Sequence, residues 1–123
     1  MADVIFDERD QLQRIQASLL PGEEAEAVFD LKGITTGFLG ITSKRVVFQD
    51  HNYLQRMKAL VSIPYGRIHT IAAEDDAGIL RGRGFFGSSK IVIGTSSGEY
   101  EFEFRGADKG HQAHNMILER MLS

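Results

Sequence analysis

The stretch from Glu99 to Arg105 constrains the fold most strongly, because aromatic and acidic side chains alternate along it without a break. The two sets are Tyr100, Phe102 and Phe104 on one side and Glu99, Glu101 and Glu103 on the other. A period of two residues places these sets on opposite faces of a β-strand. A slip of one residue would bury three carboxylates, so the pattern predicts a strand with a buried aromatic face and a solvated acidic face.

A second strand is predicted directly before this one. Lys90 to Thr95 reads KIVIGT, and only the short glycine-bearing turn Ser96-Ser97-Gly98 separates it from the acidic and aromatic strand. Two strand patterns joined by such a turn are typical of an antiparallel hairpin.

Five further strands are predicted upstream. The first is predicted from the alternation of Ala25, Ala27, Phe29 and Leu31 with Glu24, Glu26, Val28 and Asp30, and the others from short apolar bursts bounded by turn formers. The five strands are residues 23–32, 34–42, 45–49, 57–63 and 67–73. Gly37 and Gly40 lie inside the second of these, where they are expected to weaken strand pairing or to allow a bulge or a sharp bend, as a small barrel needs at its corners. The polar stretch DHNYLQ at 50–55 is predicted to be a loop.

One helix is predicted before the strands, at residues 7–20. Leu12, Ile15 and Leu19 give it one apolar stripe, and Pro21-Gly22 ends it. Asp7 is expected to accept hydrogen bonds from the first free amides. We expect this helix to cap one end of the core.

A second helix is predicted after the strands, at residues 107–122, with Asp108 as its cap. Its apolar stripe consists of Ala113, Met116, Ile117, Arg120 and Met121. The order is therefore helix, about seven strands, helix, which predicts a mainly β (α+β) single domain over residues 1–123, with its strands between 23 and 105.

Charge and composition restrict the class of protein. The 123 residues carry a formal net charge of -3, which argues against nucleic acid as a partner. The absence of cysteine removes disulfides and thiolate metal sites. No apolar run approaches the roughly 20 residues of a membrane-spanning helix. The first residues are acidic where a signal peptide needs a basic start, so we expect a cytoplasmic protein.

Three short motifs resemble those of the bacterial pleckstrin-homology-like domains. They are LPGE from Leu20, ITSKRVVF from Ile41 and SIPYGRI from Ser62, in that order along the chain. The resemblance covers roughly Leu20 to Leu122 and implies an antiparallel barrel of about seven strands closed by the C-terminal helix. The helix at 7–20 is then an addition to the family pattern.

The resemblance implies a non-enzymatic interaction or scaffold module, and several bacterial members assemble as rings of identical subunits. The phosphoinositide binding of some eukaryotic relatives does not carry over, because Glu24, Glu26 and Asp30 occupy the stretch where those relatives are basic. The expected partner is another protein or a second copy of the chain. No cofactor is expected.

One glycine-rich segment is the candidate binding site. It contains Arg81, Arg83, Phe85, Phe86 and Lys90 among flexible glycines. Arginine can bind phosphate through two parallel hydrogen bonds, and aromatic residues beside basic ones suit a membrane interface or single-stranded nucleic acid. A contact with a partner protein or a second copy of the chain is a further interpretation of this segment. The alternative is a hairpin loop that tucks one phenylalanine into the barrel.

No pattern in the sequence predicts catalysis or a metal site. His111 and His114 are spaced to share a helix face, but a third ligand is missing from their surroundings. The serines lie in turns, and the acidic stripe of the hairpin is explained by a solvated face. We therefore predict no catalytic residue and no metal.

Two other functions are compatible with the sequence. A small barrel can enclose an apolar ligand, provided that its interior is not filled by its own side chains. Peripheral binding to anionic lipid through the loop from Arg81 to Lys90 is the other.

Overall fold

The computed structural model describes residues 3–32, 37–54, 57–75 and 88–123, with the backbone alone at 50–54, 57–59 and 75. Its strands and helices are, in chain order, β1 (Ile5–Phe6), α1 (Arg9–Ala17), β2 (Ala25–Leu31), β3 (Gly37–Thr42), β4 (Arg45–Leu54), β5 (Met57–Pro64), β6 (Thr70–Asp75), β7 (Ser88–Thr95), β8 (Gly98–Arg105) and α2 (Lys109–Leu122). A 3₁₀ turn at Tyr65–Arg67 links β5 to β6. The predicted mainly β fold with a helix before and after the strands is confirmed.

The strands form one curled antiparallel sheet in the order β5-β4-β3-β2-β8-β7-β6, and β1 adds to β2 in parallel. β2 joins the two halves, because it pairs with β3 along its length and meets β8 at Leu31 and Phe104. Inside the curl, the rings of Phe29 and Phe104 meet edge to face, with their centres 5.6 Å apart. β5 and β6 are the two ends of the sheet.

The hairpin of β7 and β8 has the predicted register. Phe102 and Phe104 are buried, whereas Glu99 and Glu101 are exposed. The acidic face is therefore solvated, as the alternation requires.

Helix α2 closes the core, as predicted. Ala113 and Ile117 are fully buried in it. The helix begins in close contact with β7, where the backbone N–H of Gly110 donates to Ser89 Oγ at 2.7 Å. A Cβ atom at Gly110 would lie 2.8 Å from the Cβ of Ser89, so this approach requires glycine. No helix in the described part of the chain is long and apolar enough to cross a membrane.

Helix α1 does not cap an end of the core. It packs on the outer face of the sheet, where Leu12 and Ile15 form a second apolar cluster with Val28, Phe38 and Val47. Val28 lies among the residues of β2 that alternation predicts to be solvated, and it is buried because α1 covers it. The expected position of α1 was wrong, since α1 shields the sheet's second face.

The predicted cap at Asp7 is also wrong. The N-cap of α1 is Glu8, which makes no side-chain capping bond. Asp7 instead accepts a hydrogen bond from the backbone N–H of Asp30 at 2.9 Å and pairs with Lys109 Nζ at 2.5 Å. The pairing of β1 with β2 brings Asp7 to this position, because its own N–H donates to Val28 at 3.2 Å.

Two expectations for the central strands need correction. The ladder between β4 and β5 continues through Leu54 and Met57, so most of the predicted loop at 50–55 is strand. Gly40 lies in regular register with Val47 rather than at a bulge. Its role is close packing, since a Cβ atom there would lie 2.7 Å from Ile15 Cδ1.

Candidate functional site

A cleft of about 400 Å³ opens beside β8 and includes Lys90, one of the predicted site residues. The residues that line it come from β2, β4, β7 and β8; they are Leu31, Lys32, Phe48, Gln49, Lys90, Glu99, Tyr100, Glu101, Phe102 and Glu103. The other predicted site residues, Arg81, Arg83, Phe85 and Phe86, lie outside the described residues.

The floor of this cleft is aromatic. The ring centre of Phe48 lies 5.5 Å from that of Tyr100 and 4.9 Å from that of Phe102. Phe48 and Phe102 belong to the buried core, and Tyr100 is partly exposed. The cleft is therefore a surface opening onto a packed core.

The rim of the cleft is charged and slightly acidic. Two lysines face three glutamates, and Lys90 Nζ lies 3.6 Å from Glu101 while Lys32 Nζ lies 4.0 Å from Glu103. Both lysines are paired with glutamates, and glutamates outnumber lysines on the rim. The rim is therefore a poor site for phosphate or an anionic headgroup.

The two histidines of α2 make no metal centre with other described groups. His111 is exposed, and His114 Nδ1 lies 3.0 Å from Asn115 Oδ1. Across the described residues, no group of three or more His, Asp and Glu side chains could hold a metal ion.

The outer edge of β5, which pairs with no second strand in the part of the chain that the structure describes, is a second candidate surface. The direction of its backbone groups follows from the pairing of Arg45 with Pro64. The N–H of Arg45 donates to Thr42 Oγ1, and the Arg45 carbonyl oxygen lies 3.1 Å from the same Oγ1, so both backbone groups of Arg45 face β3. Proline has no N–H, so Arg45 and Pro64 form a non-hydrogen-bonded pair. Hydrogen-bonded and non-hydrogen-bonded pairs alternate along an antiparallel ladder, so the N–H and C=O groups of Ser62 and Leu60 also point away from β4.

The feature that sequence reasoning missed is a buried ion pair between Glu23 and Arg45. The Glu23 side chain is 0% exposed and the Arg45 side chain 18% exposed. Arg45 donates from Nε to Oε2 at 2.8 Å and from Nη2 to Oε1 at 3.0 Å. Glu23 also accepts from the Thr42 hydroxyl at 2.6 Å and from the Leu20 N–H at 2.8 Å.

The same guanidinium reaches two further segments. It donates to the Ser18 carbonyl at 2.9 Å and to Ser62 Oγ at 2.8 Å. The Tyr65 hydroxyl donates to the Thr42 carbonyl at 2.6 Å. The three motifs thus meet in one polar network that ties α1, β3 and β5 together. Their order in the sequence was the signal, but burial could not be predicted from it.

The network changes the pKa values of two groups. The hydrogen bond from Arg45 outweighs the effect of burial, and with those from Thr42 and the Leu20 amide it lowers the pKa of Glu23 from 4.5 to about 2. Burial raises the pKa of Tyr65, and the Glu23 carboxylate raises it further. Both groups keep one protonation state near neutral pH, which suits a structural role.

No protein-family model matches the sequence, and no curated protein matches it. Among solved structures, the chain is similar to a pleckstrin homology domain from Shewanella amazonensis SB2B, with a TM-score of 0.67 and 18% identity over 100% of this chain and 94% of that one. A DUF1696 family protein with a pleckstrin-homology domain, from Shewanella loihica PV-4, has a TM-score of 0.65 and 18% identity, covering 94% of each chain. The C-terminal domain of an unknown protein from Leishmania infantum has a TM-score of 0.50 and 20% identity, again over 94% of each chain. These similarities establish the fold, and the two Shewanella structures are bacterial pleckstrin-homology structures, as the three motifs predict.

Proposed function

We propose that this chain, which has the pleckstrin-homology fold, is a non-enzymatic interaction module that joins copies of itself through the outer edge of β5. The observation that carries the proposal is the outward direction of the backbone groups of Leu60 and Ser62, which have no strand partner among the described residues. Unpaired groups of this kind template the addition of another strand. We also propose that the module acts in the cytoplasm, as the sequence predicts.

The side chains of the edge support strand addition. Lys58 is the one charged residue of β5, and the stretch from Ala59 to Ile63 carries no charge, although charged side chains are a common protection against pairing. Leu60 is 43% exposed and would be covered by a neighbouring strand. A second β5 strand laid antiparallel gives a two-fold contact in which the same groups meet from both sides.

The two other functions have less support. The cleft beside β8 has a charged rim and a floor of core side chains, whereas a carrier of an apolar ligand needs an enclosed apolar interior. Binding of anionic lipid would rest on the loop from Arg81 to Lys90, and Lys90 is already paired with Glu101.

Light scattering over a range of protein concentrations tests the proposal. We expect a defined oligomer for the wild type and a monomer for Leu60→Pro, because proline at 60 removes an outward N–H without removing a bond to β4. Leu60→Lys, which keeps the N–H, is also expected to be monomeric, because like charges would meet at the two-fold contact.

Leu60→Thr is the matched control, since it keeps the N–H and strand propensity and should still assemble. A monomeric wild type at high concentration would refute self-association. A monomeric Leu60→Thr would show that the leucine side chain, and not the strand ladder, makes the contact. Circular dichroism reports whether each variant keeps its sheet.

A further inference from the structure

A groove of about 860 Å³ lies where the N-terminal arm, the start of β2 and the end of α2 meet. Its lining residues are Asp3, Ile5, Glu24, Ala25, Glu26, Met116, Glu119, Arg120 and Ser123. The cleft beside β8 is lined by different residues. The β5 edge also contributes none of these residues, so the groove is a third surface.

The floor of the groove is apolar. Ile5 is 38% exposed, although it is a large aliphatic residue in a strand. Ala25 and Met116 are partly exposed beside it. A side chain of a bound segment would remove this apolar surface from water.

The rim of the groove is acidic. It carries four carboxylates against one arginine, and Arg120 is already paired with Glu26. Within the described residues, Asp3, Glu24 and Glu119 have no ion-pair partner. The C-terminal end of α2 adds the negative pole of the helix dipole. The groove therefore matches a segment that combines cationic and apolar side chains.

We infer that this groove binds residues 81–86 of a second copy of the chain. That segment reads RGRGFF, so it supplies two arginines for the carboxylates and two phenylalanines for the apolar floor. The complementarity between groove and segment is argued from the sequence of the segment, because residues 76–87 lie outside the described residues.

This contact rests on the proposed self-association but uses other surfaces. The groove and the segment are two different patches, so the contact is heterologous and can build a ring or a filament. The edge-to-edge contact of β5 is two-fold and remains possible beside it.

The test is binding of a fluorescein-labelled peptide of residues 80–90, LRGRGFFGSSK, measured by fluorescence anisotropy. The receptor is the full chain with Arg81→Glu and Arg83→Glu, so that its own segment does not compete. We expect saturable binding that weakens when the ionic strength rises from about 0.05 M to about 0.5 M. In this receptor, Glu119→Arg should weaken binding about tenfold or more.

Glu99→Arg is the matched control, because it makes the same charge change on an exposed residue of the β8 cleft. It should leave the affinity within about twofold, and a peptide with both arginines changed to glutamate should not bind. Equal losses from Glu119→Arg and Glu99→Arg would overturn the assignment to the groove. Absence of peptide binding would overturn the inference while leaving self-association through β5, which light scattering measures separately.

Discussion

Arg45 holds the carboxylate of Glu23 through two hydrogen bonds, of 2.8 Å from Nε and 3.0 Å from Nη2. This pair lies beside the end of α1, where Arg45 also donates to the Ser18 carbonyl. Arg45 also donates to Ser62 Oγ, so the side chain of Ser62 in β5 is held by the guanidinium. The network thus fixes the edge strand that we propose as the contact surface.

Arg45→Met should reduce the free energy of unfolding by about 3 kcal/mol, because it leaves the Glu23 carboxylate buried without its partner. Urea unfolding measures the change. Arg105→Met is the matched control, since the Arg105 Nε also lies 2.8 Å from a carboxylate, that of Asp30, but its side chain is 60% exposed. We expect a loss of about 1 kcal/mol or less there. Equal losses would show that burial does not distinguish the two pairs.

The contribution of Glu23 should depend on pH in the acid range. Its pKa is lowered to about 2 in the folded chain, so the unfolded chain takes up its proton first as the pH falls below 4.5. The stabilisation is therefore complete above about pH 5 and is lost progressively toward about pH 2. The difference in unfolding free energy between wild type and Glu23→Gln should shrink over this window. A difference independent of pH would contradict the lowered pKa.

Tyr65 should show the opposite dependence in the alkaline range. Its pKa is raised in the folded chain, so the unfolded chain loses the proton first above the ordinary pKa of 10.0. Tyr65→Phe should cost about 1 kcal/mol at neutral pH, because it removes the hydrogen bond to the Thr42 carbonyl. The wild type should lose that advantage above pH 10.0, as urea unfolding of both proteins would show. An advantage that grows with pH would refute this.

Gly40→Ala should loosen α1 from the sheet and cost about 1–3 kcal/mol, because the added Cβ would lie 2.7 Å from Ile15 Cδ1. Ile15→Val removes that methyl group, so the double variant should lose less than the sum of the single losses. Gly66→Ala is the control, since a Cβ atom there meets nothing within 4 Å. Additive losses in urea unfolding would show that α1 does not contact Gly40 closely.

How far sequence predicts this fold depends on whether the two faces of an element differ. The β7–β8 hairpin was predictable because aromatic and acidic residues strictly alternate in β8. The position of α1 was not, because Val28, which α1 covers, falls in the sequence among the polar residues Glu24, Glu26 and Asp30. Glu23 and Arg45 resemble ordinary surface charges, and only the fold brings them together and buries them.

The candidate site was also only partly accessible from the sequence. Lys90 lines the cleft beside β8, but its role in binding stays a prediction. The same holds for Arg81, Arg83, Phe85 and Phe86, which lie outside the described residues. The β5 edge could not be found from sequence, since which backbone groups point outward depends on the pairing of Arg45 with Pro64.

Amide hydrogen exchange at Leu60 and Ser62 tests self-association through β5 most directly. At concentrations where light scattering shows an oligomer, both amides should exchange slowly, and dilution to monomer should make them fast. The amides of Val61 and Ile63, which point toward β4, should stay slow in both states. Fast exchange at Leu60 and Ser62 in the assembled protein would contradict the account.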